Sequence, residues 1–128
     1  DDIDLSRGDM ICRENNRPHI GQRIEAMVCW MTDQRLVTGG RYVLKHTTRN
    51  VNAHVAEVQY RLDIDTLHRE EGVDGLGLND IGRLSLRLTS PIFYDEYRRN
   101  RNTGAFILID QASNVTVGAG MILGPTGV

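Results

Sequence analysis

The sequence predicts an all-β fold, a small closed barrel or sandwich of about six or seven strands, and three observations carry that expectation. Apolar and polar residues alternate with period 2, helical stripes are nearly absent, and the connections between apolar runs carry turn chemistry. From Ala56 to Ile64 the set Ala56, Val58, Tyr60, Leu62 and Ile64 alternates with Glu57, Gln59, Arg61 and Asp63. Leu84, Leu86 and Leu88 alternate in the same way with Arg83, Ser85 and Arg87. Both read as antiparallel strands with one face buried and one wet.

Further strands are predicted near Asp9 to Arg13, Arg23 to Met31, Arg41 to Thr48, Ala105 to Asp110 and Val115 to Leu123. Another, Val51 to Val55, runs into the long alternating one. Turns fall at Thr38-Gly39-Gly40, at Arg49-Asn50 and at Gln111 to Asn114. Asp65 to Asp80 is acidic and glycine-rich and reads as a long surface loop, with one helical turn near Leu67 to Glu71. A second short helix is expected within Ile92 to Arg99. Closure of the strands into a barrel would remove exposed edges, which otherwise promote aggregation.

With 128 residues, the chain is large enough to bury about two-thirds of its unfolded surface around one core. It is 40% hydrophobic and 25% charged, near the globular average. No apolar run reaches the roughly 18 residues that span a bilayer, and the acidic start Asp1-Asp2-Ile3-Asp4 has the wrong charge for a signal peptide. Membrane insertion and secretion are therefore disfavoured, and a cytoplasmic location is the default. Cys12 and Cys29 stand alone, too few for a cysteine-built zinc site, and read as reduced thiols.

Lys45 is the sole lysine beside 14 arginines, which permits a strict test. It lies between Leu44 and His46, so the chain contains neither a phosphate loop, which needs Gly-Lys-Ser/Thr, nor the base-reading motif Asn-Lys-x-Asp. Asp74-Gly75-Leu76-Gly77 matches a GTPase switch pattern but means nothing without a phosphate loop. The net charge of -2 removes the usual drive for nucleic-acid binding, so any such contact would be local.

Four constellations invite chemistry. Histidines 19, 46, 54 and 68 suggest a metal, yet a turn centred on Arg49-Asn50 puts His46 opposite residue 53, out of register with His54. Asp63, Asp65, Glu70, Glu71 and Asp74 crowd one segment, as acid–base catalysis would need, but a solvated loop explains them more simply. Gly118-Ala119-Gly120 resembles the start of a dinucleotide fingerprint, but no helix follows it. Glycines that admit close backbone approach or a bulge are the better reading. Arg98, Arg99, Asn100 and Arg101 form the one local concentration of positive charge, just after Tyr94 and Tyr97. They are the candidate interaction site, suited to a phosphate, an RNA backbone or an acidic surface. No catalytic, cofactor-binding or metal-ligating residue is assigned.

Asn100 to Asp110 (NRNTGAFILID) and Thr116 to Ile122 (TVGAGMI) closely resemble the C-terminal barrel of the large, GTP-binding subunit of bacterial sulfate adenylyltransferase. Leu5 to Ile11 (LSRGDMI) is similar to the end of the preceding barrel in that family, and Leu78 to Gly82 and Pro91-Ile92-Phe93 match its middle. The Thr-Val-Gly-Ala-Gly element is shared with elongation factor Tu and its relatives, whereas the Asn-Arg-x-Thr-Gly-x-Phe-Ile-Leu-Ile-Asp element points to the sulfate-activating branch.

The resemblance implies a six-stranded antiparallel barrel of the translation-factor third-domain type over residues 14–128, preceded at 1–13 by the tail of another barrel or a leading strand. It implies a catalytically silent piece of a larger protein, with no cofactor of its own. GTP and magnesium would belong to the parent's GTPase domain. That parent would couple GTP hydrolysis to adenylyl transfer from ATP to sulfate, and some family members continue into an adenylylsulfate kinase. Implied partners are the parent's own GTPase domain and preceding barrel and the small catalytic subunit, with no membrane and with nucleic acid disfavoured. Two other readings remain open: a translation-type barrel that grips tRNA or ribosome through Arg98 to Arg101, and a stand-alone protein-binding barrel.

Overall fold

The computed structural model describes residues 19–47, 49–97, 99–101 and 103–125. The strand expected at Asp9 to Arg13 and the boundary expected at residue 13 lie outside the described residues. In chain order the strands are β1 (His19–Trp30), β2 (Leu36–Val37), β3 (Arg41–His46), β4 (Arg49–Leu62), β5 (Arg69–Glu70), β6 (Gly75–Leu76), β7 (Ile81–Tyr94), β8 (Ala105–Ile109) and β9 (Thr116–Pro125). There is no helix among the described residues. Nor, among them, is any helix long and apolar enough to cross a membrane.

Six strands pair in the order β3-β8-β9-β1-β7-β4, and β3 pairs again with β4, so the sheet closes on itself. Every pairing is antiparallel. The barrel alternative is therefore the one the chain adopts, and closure leaves none of these six strands with a free edge. Strand β5 adds to β4 alone. The β2–β6 ribbon stands apart from the barrel sheet, and its fully buried Leu36 and Leu76 join the core.

Inward residues fill the barrel: Ile24, Ala26, Val28 and Trp30 from β1, Leu84, Leu86 and Leu88 from β7, and Phe106 and Leu108 from β8 are all buried. The Trp30 indole meets the Tyr42 ring edge-on at 5.3 Å and donates to the Gln34 carbonyl at 2.6 Å, which satisfies its N–H. Bulges bend the long strands so that the wall can curve. Between Gly21 and Arg23 the register on β7 jumps from Ile92 to Arg87, and Pro91, which has no amide hydrogen for a ladder, sits in that interval.

Several expectations needed correction. Strand β4 does not hold one phase, because bulges at Val55/Glu57 and Val58/Tyr60 shift it twice. Ala56 is consequently exposed and Tyr60 only half-buried, while Val55 and Val58 are buried. Ser85, expected on a wet face, is buried against Glu25. The first hairpin turns at Thr47, with φ of 54°, and Arg49 and Asn50 are strand residues opposite His46 and Lys45. A left-handed threonine is uncommon, so turn propensity favoured the wrong pair. No helical turn forms at Leu67 to Glu71. The Asp63 carboxylate accepts the amides of Asp65 and Thr66, closing a tight turn that launches β5. Of the second expected helix, Ile92 to Tyr94 extends β7, and only a single turn survives, in which the Arg99 and Asn100 amides donate to the Glu96 carbonyl.

Candidate functional site

The arginine-rich segment joins β7 to β8, and Arg98 lies outside the described residues. Arg99 and Arg101 are exposed, whereas half-buried Asn100 serves the loop itself: its backbone carbonyl accepts the Gly104 amide at 2.8 Å and its side-chain oxygen accepts the Thr103 amide at 3.4 Å. The loop is tied down on three sides. The Tyr97 amide donates to the Ile122 carbonyl and the Ile122 amide to the Gly104 carbonyl, both on β9. The Thr103 hydroxyl donates to Asp95 at 2.8 Å, and its carbonyl accepts from His46 Nε2 of β3 at 2.6 Å.

Gly104 makes the close approach possible, since a Cβ there would stand 2.4 Å from Tyr97 Cα and 2.8 Å from the Asn100 carbonyl oxygen. His46 is 3% exposed, and its burial pushes the imidazole below the ordinary histidine range, with the bond to Thr103 opposing that shift. A neutral ring that donates through Nε2 fits this setting. The two arginines thus ride on a hydrogen-bonded platform.

Beside this platform the outer wall is apolar. Met27 and Cys29 of β1, Ile107 of β8, Ala119 and Met121 of β9 and Tyr97 of the loop line an open groove of about 610 Å³, with Lys45 at its margin. Strands β8 and β9 are consequently apolar on both faces, because Phe106, Leu108 and Ile122 fill the interior behind them. Sequence reasoning did not assign this groove, but its signal was present: Ala105 to Ile109 is a continuous apolar run, the mark of a strand covered on both sides. A barrel wall of this kind can bind an apolar protein surface, with Lys45 supplying a charge among its lining residues.

The other constellations are dispersed. His46 pairs with Arg49 across its hairpin and His54 with Arg41, so the two rings occupy different rows. Among the described residues no group of three or more His, Cys, Asp or Glu is placed to hold a metal. The acidic segment divides its charges. Glu70 accepts from Arg61 at 2.7 Å, Asp74 pairs with Arg35 at 3.0 Å, and Asp63 caps its own turn. Asp80 joins Glu70 on Arg61 and also accepts the Gly77 amide. In Gly118-Ala119-Gly120 the glycines admit close packing: a Cβ on Gly120 would lie 2.2 Å from the Phe106 ring.

One buried network was not anticipated. Glu25 points outward from β1 yet is 2% exposed, because Gln59 and Ser85 each donate to it at 2.5 Å and Arg83 at 3.1 Å. The polar alternation of β7 hid this, since nothing in a single strand marks which polar residue will be covered.

The described residues thus form a closed six-stranded antiparallel barrel with an outer apolar groove and a basic loop between β7 and β8. The model of the GTP-eEF1A C-terminal domain-like family matches residues 23–123, and the chain belongs to that family. It is 56% identical over 124 residues to the bifunctional enzyme CysN/CysC of Mycobacterium tuberculosis, a match that covers 96% of this chain and 20% of that protein. It is 49% identical to the bifunctional enzyme CysN/CysC of Rhodopirellula baltica, over 99% of this chain and 20% of the relative. It is 42% identical to sulfate adenylyltransferase subunit 1 of Francisella tularensis, over 98% of this chain and 26% of the relative. The chain therefore spans about a fifth to a quarter of the curated relatives it matches. A crystal structure of sup35 complexed with GDP shares the fold, with a TM-score of 0.77 and 19% identity over 88% of this chain and 27% of that one.

Proposed function

We propose that this barrel is the non-catalytic C-terminal docking domain of a GTP-dependent sulfate adenylyltransferase subunit, whose parent couples GTP hydrolysis to adenylyl transfer from ATP onto sulfate. The observation that carries the reading is the outer wall over β8 and β9, apolar where an isolated barrel would be polar, with the arginine loop fixed beside it. In the parent that wall would be covered by the GTPase domain, by the preceding barrel, whose tail would occupy residues 1–13, or by the small catalytic subunit. GTP and magnesium would be held by the GTPase domain. Arg98, Arg99 and Arg101 would pair with acidic residues of the partner, while Asn100 shapes their loop.

The high identity to CysN/CysC and subunit 1 proteins across nearly the whole chain supports this branch over a translation factor. Cytoplasmic location follows from the same reading. The test is calorimetric titration of the chain into the small subunit and into the GTPase portion. Saturable binding to one of them is expected. Binding to neither, with salt-dependent binding of tRNA at physiological ionic strength, would contradict it.

A further inference from the structure

A separate patch of the outer surface carries a second feature. Arg41 of β3 pairs with His54 of β4, His54 with Arg87 of β7, and Arg87 with Arg23 of β1. Four adjacent strands thus place three arginines and a histidine in one transverse row of about 14 Å, at the usual interstrand spacing. All four point outward, because their sequence neighbours Ile24, Ala53, Val55, Leu86 and Leu88 fill the interior and Tyr42, beside Arg41, packs against it. The three arginines are exposed.

Like charges directly opposite each other destabilise a sheet, and here Arg23 faces Arg87. Nothing inside the described protein offsets them: the ion pairs there engage Arg35, Arg61 and Arg83, and none reaches Arg23, Arg41 or Arg87. Glu25, two positions along β1 from Arg23, is already held by Arg83, Ser85 and Gln59, and exposed Glu57 lies opposite Ser85, off the row. In a chain of net charge -2 such a row is a local exception.

Three of the four members also border a groove. Arg41, His54 and Arg87 line a groove of about 460 Å³ together with Asn52, Thr89 and Gln111. That volume is within the range of small-molecule sites, about 300–1,000 Å³. No carboxylate lines it, and the Gln111 amide donates to Asn52 at 3.3 Å, joining two of its neutral polar residues. Guanidinium groups match the paired oxygens of a phosphate, and neutral amides and a hydroxyl add further donors.

We propose that the Arg23–Arg87–His54–Arg41 row and its groove bind the phosphate groups of a small, multiply charged phosphate compound. A row of about 14 Å accommodates two or three phosphates, and the acidic balance of the whole chain disfavours a long polyanion over a short one. This site shares strands β1, β3 and β7 with the docking wall but none of its lining residues, so the two proposals stand or fall separately.

The probe is inorganic triphosphate, titrated into the chain at constant ionic strength and followed by amide chemical shifts, with citrate and a short RNA duplex as comparison arms. Saturation at millimolar or tighter affinity is expected, with shifts centred on Arg41, His54 and Arg87. Arg41→Gln and Arg87→Gln should each weaken it about tenfold, while Arg35→Gln leaves it unchanged. Arg87→Gln relieves the opposition with Arg23, and Arg41→Gln breaks no ion pair, so both variants should melt no lower than the parent in the absence of triphosphate, and a loss of binding cannot be ascribed to unfolding. Equal affinity for citrate, preference for the RNA duplex, shifts centred on Arg99 and Arg101, or indifference to both substitutions would each overturn the proposal.

Discussion

Gly120→Ala isolates the physical reason for the glycines in the last strand. The new methyl carbon would stand 2.2 Å from the Phe106 ring carbon Cζ and 2.7 Å from two more ring atoms, whereas ordinary contact begins at 3.4 Å. The ring would have to retreat by about 1 Å, but Phe106 is 4% exposed in a closed core with no room behind it. Overpacking of this kind costs about 1–3 kcal/mol. Replacing glycine in a strand returns about 0.5–1 kcal/mol of backbone entropy. The mid-values leave a net loss of about 1 kcal/mol, and the upper end about 2.5 kcal/mol, or roughly 4–9 °C in the thermal midpoint at this chain length. Urea and thermal unfolding of four proteins form the assay: parent, Gly120→Ala, Phe106→Leu and the double variant. Removing the ring's far edge should shrink the Gly120→Ala penalty by about 1 kcal/mol or more. A Gly120→Ala protein as stable as the parent, or an equal penalty in both backgrounds, would refute the packing argument.

Other consequences can be checked on the same material. Glu25→Ala removes the buried carboxylate that accepts from Gln59, Ser85 and Arg83 and should destabilise by about 3 kcal/mol or more by urea unfolding, whereas Arg35→Ala, in an exposed pair with Asp74, should stay within about 0.5 kcal/mol. Gly104→Ala forces a methyl into the loop backbone, so it should lower the thermal midpoint and raise amide exchange from Tyr97 to Gly104. Burial lowers the His46 pKa in the fold, so below the unfolded value of about 6.5 the unfolded chain takes up a proton that the folded ring resists. Its contribution is therefore complete above about pH 6.5 and is lost as the pH falls through that value toward the folded pKa. His46→Gln should flatten that part of the stability profile, and an unchanged slope would contradict the burial argument.

Much of the barrel was legible because its strands obey simple rules. Period-2 alternation marked β7, and the residue types of β1, β8 and β9 marked strands. The terminal glycines were read as packing elements, and Gly120 against Phe106 is that arrangement. What stayed hidden depends on neighbours distant in sequence. The phase of β4 is set by bulges against β7, so Tyr60 turns outward, where its hydroxyl lies 3.7 Å from Met27 Sδ. The two-residue strands β5 and β6 are too short for any period to register. The arginine loop was singled out from composition, but not the apolar groove beside it, which gathers residues from five strands, a turn and a loop. The transverse arginine row was invisible for the same reason, since its members are scattered from residue 23 to residue 87 and meet only through strand register.

The docking face is tested most directly by isothermal titration of the chain into the small sulfate adenylyltransferase subunit and into the parent's GTPase and second-barrel portion. Three forms would be compared: the parent, an Arg99→Glu/Arg101→Glu variant, and Met121→Glu, which places charge in the apolar groove at a residue already 40% exposed. Saturable binding to at least one partner is predicted, weakened by both variants about tenfold or more while their melting temperatures hold. Binding that both variants leave untouched would move the interface to another face of the barrel, and no binding to either partner would contradict the docking role itself.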